Sequence, residues 1–397
     1  MSEMLTSDAK TMDGLMTDLK RFAPAAALVL LTFSAWGCAS TRIPPSPVPC
    51  QRVALDPAPP WTASATWNAA EDAMILVDPG TRSLASYGLD GQRKGEFPLD
   101  GVAEIDYAVP MRLERKSGGY VLIDSRQVLH FDSRLALQER QDPFAFLADR
   151  GFSDGSFNDA LIHGQSLYGY ADFVDHSVIP PDDPKAKGTW KRGFVQLNPE
   201  KGDLDLLLEL TTNADEYSSY YFYGRRPYVS EVDGKIYFLR LTDTWSVQQR
   251  TRQGLRTVVK TGSDSEERAE SLYGWNGKLY VLTRRDIEKE DENAPKAPVL
   301  KNPNGQFSAE LLEAMRAGIP KERQWTLHEI DPRGRILRKL RLPTTAERLR
   351  LVPGRGFWAG IEESSAPTLD QESGGTSFLF LPGSEIVAGQ FSCTAQS

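Results

Sequence analysis

"VDGKIYFLR", Val232 to Arg240, returns almost unchanged as "WNGKLYVLT", Trp275 to Thr283, forty-three residues later. Each phrase holds the end of one apolar run, an Asp-Gly or Asn-Gly pair, and a second run with alternating apolar side chains. Aspartate, asparagine and glycine accept the positive φ that a tight two-residue hairpin turn demands, so each phrase predicts two antiparallel strands. "FVQLNPEKGDLDLLLEL" (Phe194 to Leu210) and "LHEIDPRGRILRKLRL" (Leu327 to Leu342) form a second pair: strand, proline-containing turn, strand. "AMILVDPGTRSLASYGLDGQRKGEFPL" and "GYVLIDSRQVLHFDSRLALQER" add two more units, with Asp78 and Asp124 forty-six residues apart.

Helical periodicity is nearly absent outside one insertion, and groups of four short strands recur every forty to sixty residues. A small sheet cannot bury its faces alone, and repeats of this kind stack around an axis as the blades of a β-propeller. The expected fold class is all-β: six four-stranded blades beginning near Trp61, Val109, Ala160, Tyr228, Glu270 and Leu349. A pair of β-sandwiches and a seven-bladed ring are the competing readings. From Trp61 to Val387 the strand rhythm resembles that of bacterial six-bladed propellers of the NHL-like kind, which implies a ring whose first and last blades must be held together.

Near the front, Lys20 and Arg21 precede sixteen apolar or small residues, Phe22 to Gly37. That run is short of the roughly 20 residues of a membrane-crossing helix and has the build of a secretory leader. Its end, Ala35-Trp36-Gly37-Cys38, resembles a bacterial lipobox, although alanine and tryptophan stand where leucine and a small residue are usual. The resemblance implies cleavage before Cys38, a diacylglyceryl group on its sulfur, acylation of its new amine, and, with Ala39 following rather than aspartate, residence at the outer membrane. An ordinary leader with an unmodified cysteine and an uncleaved anchor are the alternatives. Acidic residues around Met12 and Met16 suit a leader that starts at Met16. Proline-rich "ASTRIPPSPVP" then reads as an extended tether. The expected order is leader 1–37, tether 38–60 and propeller 61–397.

Only three cysteines occur. With Cys38 carrying lipid, Cys50 and Cys393 remain to pair in an oxidising compartment, joining the two ends of the folded region. The alternative leaves each free or bonded to another chain. A net charge of −8 argues against nucleic-acid binding, which needs a basic footprint.

Counting direction reversals along "SLYGW", "KLYVLTRR", "QWTLHEID" and "ILRKLRL" puts two kinds of connection on one face: those between second and third strands, and those from blade to blade. The long insertions, Asp172 to Lys191, Arg285 to Glu322 and Glu362 to Thr376, all fall in the first kind. Loops carried by a rigid scaffold are where binding usually resides. The middle insertion holds the one good helix, Ser308 to Gly318, whose Leu311, Leu312 and Met315 form an apolar stripe that packs on the blade below or meets a partner. "YSSYYFYGRR" reaches the same face. Its Tyr217, Tyr220, Tyr221, Tyr223, Arg225 and Arg226 offer flat apolar area, hydroxyl groups and guanidinium forks to a protein, peptide or glycan. The same alternation fits an inter-blade strand with one side buried.

Local catalytic motifs are missing, and the sequence nominates no catalytic residue or cofactor. Among His130, His163, His176 and His328, none has a histidine or cysteine at metal-ligand spacing. "DFVDH" gathers Asp172, Asp175 and His176 in what reads as a solvated loop. Asp154, Ser156 and Asn158 of "DGSFND" alternate like calcium-loop ligands, a weak candidate lacking the turn glycine and closing glutamate. "GQSLY" around Ser166 departs from G-x-S-x-G at its last position. The basic run "RGRILRKLRL" reads as an outer strand whose charges deter edge pairing, or as a patch for an anionic partner. The function expected is that of a lipid-anchored, cell-envelope binding or scaffold propeller. A propeller hydrolase or lyase with a central metal-dependent site is the alternative.

Overall fold

Among the described residues, twenty-four short strands, nearly all joined in sequence as antiparallel hairpins, make the framework. The computed structural model describes residues 50–57, 64–78, 81–99, 112–116, 118–176, 188–210, 227–241, 244–261, 267–288, 321–344, 348–362 and 377–393. The leader, Cys38, the tether up to residue 49, the tyrosine run 217–226 and the expected helix 308–318 lie outside them. Residues 48–397 form one compact unit.

Strand β1 (Gln51–Ala54) comes first in the chain but last in the ring. Blade one is β2 (Ala65–Asn68), β3 (Ala73–Asp78), β4 (Ser83–Gly88) and β5 (Arg93–Pro98); blade two is β6 (Arg112–Lys116), β7 (Gly119–Ile123), β8 (Val128–Asp132) and β9 (Leu137–Gln141). Blade three is β10 (Phe152–His163), β11 (Ser166–Asp175), β12 (Thr189–Asn198) and β13 (Asp203–Glu209), and blade four β14 (Val229–Val232), β15 (Lys235–Arg240), β16 (Ser246–Thr251) and β17 (Gly254–Lys260). Blade five is β18 (Arg268–Trp275), β19 (Lys278–Glu288), β20 (Lys321–Ile330) and β21 (Ile336–Arg341). Blade six takes β22 (Arg348–Pro353), β23 (Gly356–Glu362) and β24 (Ser377–Pro382), followed by the short helix α1 (Gly383–Ala388), and borrows β1 as its outer strand.

First strands adjoin in the order β2, β6, β10, β14, β18, β22 and back to β2, which closes the ring. Six blades therefore stand as the sequence predicts. The third begins at Phe152 rather than near Ala160, because β10 runs through two register irregularities that its sequence disguises as a turn. The ring also takes in Gln51–Ala54, ahead of residue 61, where the sequence places the start of the propeller.

Local chemistry sets each hairpin. Asp233 and Gly234 take φ of 50° and 70°, and Asn276 and Gly277 take 49° and 69°, the two positive values that both repeated phrases require. Gly334, at φ 92°, brings the β20–β21 turn so close to the Val258 carbonyl of β17 that no Cβ would fit. Asp78 and Asp124 close equivalent turns by accepting the N–H of Thr81 at 3.3 Å and of Gln127 at 2.7 Å. Strand alternation puts the second-to-third and blade-to-blade connections on one face, here the loop face. The tight first-to-second and third-to-fourth turns lie on the opposite turn face.

The core lies between blades. One apolar cluster joins blades one and two (Ile75, Val77 with Leu122, Phe131), another blades two and three (Val121, Val128 with Phe157, Phe173). A third spans blades three to five through Phe194, Phe238 and Leu279, a fourth joins blades five and six through Trp325 and Phe357, and a fifth crosses the seam between blades six and one. At that seam Trp67 stacks on Trp358 with ring centroids 5.6 Å apart. Each fully buried large apolar side chain contributes about 1.5–3 kcal/mol, so every blade depends on its neighbours for its apolar faces.

Backbone pairing also crosses the seam. β1 pairs with β24 from Gln51 opposite Phe380 to Ala54 opposite Ser377. Just outside that ladder, Cys50 and Cys393 are disulfide-bonded across a sequence separation of 343. Replacing both cysteines with serine is expected to lower unfolding free energy in urea by about 5 kcal/mol, the chain-entropy cost of releasing so long a loop. Far-ultraviolet circular dichroism below the transition should stay unchanged, because the ladder and the Trp67–Trp358 stack remain.

Candidate functional site

The six first strands enclose a central channel containing a cavity of about 340 Å³. Blade two gives it most of its charge. Along β6, Arg112, Glu114 and Lys116 share the channel side, while Leu113 faces the core between blades one and two. A strand this rich in charge can stand at the centre of a ring only because the axis holds an opening.

Arg112 ties three blades together. Its Nη1 donates to Asp159 Oδ1 of blade three at 3.1 Å and to the Val229 carbonyl of blade four at 2.7 Å, and its Nε lies 2.9 Å from Glu114 Oε1. Asp159, with its side chain 5 % exposed, accepts the Tyr228 and Val229 N–H groups on Oδ2 at 2.7 and 2.9 Å. Burial works against the guanidinium charge, but the adjacent Asp159 and Glu114 carboxylates outweigh it and hold the Arg112 pKa above its ordinary value. Lys116 Nζ donates to the Ile162 carbonyl at 2.7 Å and sits 3.0 Å from Glu114 Oε2. His163 Nδ1 lies 3.1 Å from Glu231 Oε2.

The same pattern recurs around the axis with other chemistry. Ser64 Oγ of blade one accepts the Leu113 N–H at 2.8 Å, and the Ser125 carbonyl of blade two accepts Phe157 N–H at 2.7 Å. The Pro227 carbonyl accepts Leu272 N–H at 2.8 Å, and Tyr273 OH accepts Leu351 N–H at 3.1 Å. With Asp159 at the third junction, a backbone N–H in the first strand of each of blades two to six is thus held by residues leading into or lying in the blade before it. At the sixth junction the contact is an ion pair, Arg355 Nη1 to Asp72 Oδ2 at 2.9 Å.

These attachments define what the channel can do. Asp159 and Glu114 are ion-paired, and Asp159 also holds two amides. Lys116 is partly exposed within the lining, and Arg115, Arg350, Asn158 and Ser230 line it too. That lining suits a small polar ligand. Among the described residues no three histidine, cysteine, aspartate or glutamate side chains come together in a way that could hold a metal ion.

The tyrosine and arginine candidates at 217–226 fall outside the described residues, in the connection from β13 to β14. Asp154, Ser156 and Asn158 lie within β10, not in a loop. Ser153 Oγ donates to Asp154 Oδ2 at 3.0 Å and Asn158 Nδ2 to Asp172 Oδ2 at 3.3 Å, so the three oxygen-bearing side chains are strung along a strand anchored by buried Phe157. Asp172 and Asp175 of "DFVDH" are likewise in β11, and His176 Nε2 meets Ser153 Oγ at 2.8 Å. Burial pushes the Asp172 carboxyl up against the pull of Arg192 and Asn158. Ser166 starts β11 and is buried. The three long connections, 176–188, 289–320 and 363–376, all leave the loop face.

One buried histidine stands away from the axis. His328 of β20 is 1 % exposed, packs edge-on against Trp245 at 5.3 Å, and places Nε2 2.9 Å from Glu267 Oε2 and 3.0 Å from Thr283 Oγ1. Among the described residues its Nδ1 has no hydrogen-bond partner. Burial lowers its pKa, Glu267 pulling it back up and Lys339 adding to the fall.

No protein-family model and no curated protein sequence matches the chain. Solved structures do. A member of the DUF4221 family from Bacteroides vulgatus aligns with a TM-score of 0.46 at 9 % identity, over 84 % of this chain and 96 % of that one. A luciferin-regenerating enzyme gives 0.44 at 8 % identity over 84 % and 96 %, and the calcium-binding protein regucalcin from Agrobacterium tumefaciens gives 0.42 at 11 % over 88 % and 98 %. These are similarities of architecture alone.

Removing the Asp159 carboxylate takes one of two carboxylate partners from the buried Arg112 and leaves two amides unpaired. Asp159→Ala is therefore expected to cost about 3–5 kcal/mol in urea unfolding, whereas Glu231→Ala, at the more exposed pair, should cost under about 1 kcal/mol. Since the folded-state pKa of His328 lies below its unfolded value of about 6.5, the unfolded chain gains its proton first and stability falls as pH drops below that value. Unfolding curves from pH 7.5 down to 5.5 should show this slope in the wild type and a shallower one in His328→Phe.

Proposed function

We propose that the protein is a lipid-anchored binding module of the bacterial cell envelope, held at the outer membrane through acylated Cys38 and presenting its loop face to a protein, peptide or glycan partner. What supports this reading is the division of labour between the two faces. All three long second-to-third connections leave the loop face, as does the 211–226 connection with its tyrosines and arginines. The chain enters β1 beside the opposite, turn face, because Gln51 pairs next to the end of β24 that leads into α1. A tether rooted on one side and elaborated loops on the other suit a device that holds something away from a membrane. The central channel, its carboxylates committed to bracing blades, serves the ring first and offers a small polar pocket second.

Mass spectrometry of protein extracted from membranes is expected to find Cys38 amino-terminal, with a diacylglyceryl group on its sulfur and an acyl chain on its amine, and Cys38→Ser should move the protein out of the outer-membrane fraction. Cross-linking in intact cells followed by affinity capture is expected to recover an envelope partner. Replacing Tyr220, Tyr221 and Arg225 with alanine should reduce that capture at least about tenfold, since loss of central aromatic and arginine contacts commonly costs 2 kcal/mol or more. Capture by the triple variant at the wild-type level would remove these residues from the binding face.

A further inference from the structure

Most exposed side chains of the ring are polar, but Ile336 (39 % exposed), Leu337 (45 %) and Val387 (58 %) are not. The first two open β21, the outer edge of blade five, immediately after the 331–335 turn on the turn face. The third closes α1, which begins where β24 reaches that same face. Arg338 binds the two elements together, donating from Nη1 to the Val387 carbonyl at 2.7 Å and from Nε to Glu329 at 2.5 Å. Leu340, Leu342 and Ile386 enter one apolar cluster against which Cys50 and Cys393 also pack. The exposed strip and the point where the tether joins the ring are therefore parts of one corner of the molecule.

Charge at this corner runs against the chain as a whole. Between Arg333 and Arg341 stand Arg333, Arg335, Arg338, Lys339 and Arg341 with no acidic residue among them, in a chain of net charge −8. Arg335, Arg338 and Lys339 have carboxylate partners in Asp331, Glu329 and Glu267, while no ion pair engages Arg333 or Arg341 among the described residues. Basic side chains on an outer strand deter edge pairing, but that role gives no reason to leave two consecutive large apolar side chains in water beside them. Exposed aliphatic groups flanked by arginine and lysine suit an anionic lipid surface, where the cations are drawn to the headgroups and the apolar groups enter the interface. Reach agrees with this. Cys50 is twelve residues beyond Cys38, and a chain of that length spans at most about 40 Å, so an acylated Cys38 keeps this corner near the bilayer.

We propose that the β21–α1 strip, Ile336, Leu337 and Val387 with Arg333 and Arg335 of the adjoining turn, is a docking surface for the anionic headgroups of the membrane that carries the anchor. It rests on the anchored reading above, and it sets the ring with its turn-face corner on the lipid and its loop face directed away. The full chain, acylated by its producing cell, is reconstituted in vesicles of phosphatidylcholine alone or of phosphatidylcholine mixed with phosphatidylglycerol, floated, and subjected to hydroxyl-radical footprinting.

Oxidation of Ile336, Leu337 and Val387 is expected to fall severalfold on the anionic vesicles relative to the neutral ones, and to recover in high salt. Trp190, at the loop-face end of β12, should be oxidised equally on both. The same chain carrying Arg333→Glu and Arg335→Glu should float as before without showing the difference. Flotation with equal footprints on the two kinds of vesicle overturns this proposal and leaves the anchor standing; failure to float overturns the anchor and this proposal together. Protection that ignores lipid charge and rises with protein density assigns the strip to a second copy of the chain and also overturns it.

Discussion

Closure is the constraint on which the whole molecule rests. A blade cannot bury its own faces, and each of the apolar clusters is shared between blades, so the fold is satisfied only when the last blade meets the first. That meeting is made by four residues, Gln51–Ala54, laid against β24 and riveted by the Cys50–Cys393 bond. The Trp67–Trp358 stack and the Arg355–Asp72 pair lie at the same junction. Without β1, the sixth blade has three strands and an open edge.

Around the axis, closure is reinforced by one device in several chemical forms. A hydroxyl, a carbonyl or a carboxylate from one blade captures a backbone N–H at the start of the next. Asp159 is the strongest of these, because it takes two amides and a guanidinium while almost fully buried. Its charge is tolerable only because Arg112 reaches it from the preceding blade, and Arg112 is held in place in turn by Glu114 and the Val229 carbonyl. Charged groups lining a propeller axis invite a catalytic reading. Here their hydrogen bonds run into the scaffold.

Legibility followed locality. The blade count could be read because hairpins are local: Asp233-Gly234 and Asn276-Gly277 announce their turns, and Asp78 and Asp124 mark equivalent corners in blades one and two. The disulfide could be read because three cysteines leave few choices. Strand β1 could not, since "QRVA" is short and its partner lies more than three hundred residues away. Asp154 to Asp159 misled for a related reason. Small polar residues with a positive φ at Asp154 look like a loop, yet pairing with β11 holds them in a ladder through its irregularities. Arg112 and Asp159 became partners only once the blades were in order, although the concentration of charge in "RLERK" was a signal that this strand faces an opening. In the basic run, the position of β21 at an outer edge was legible, but the company it keeps with α1 and the Cys50–Cys393 bond was not.

That the first strand of the chain completes the last blade has a temporal consequence. During synthesis β1 emerges long before β24 exists, and it waits unpaired while five blades and most of a sixth are assembled, an arrangement of high contact order. Through that interval β24 and β1 are complementary bare edges, and each is equally complementary to the edge of another molecule. Ten residues, 55–64, join β1 to the first strand of blade one, so when that blade comes round to the sixth the right strand is within reach of β24 and the wrong ones are diluted, which works against strand exchange between neighbours.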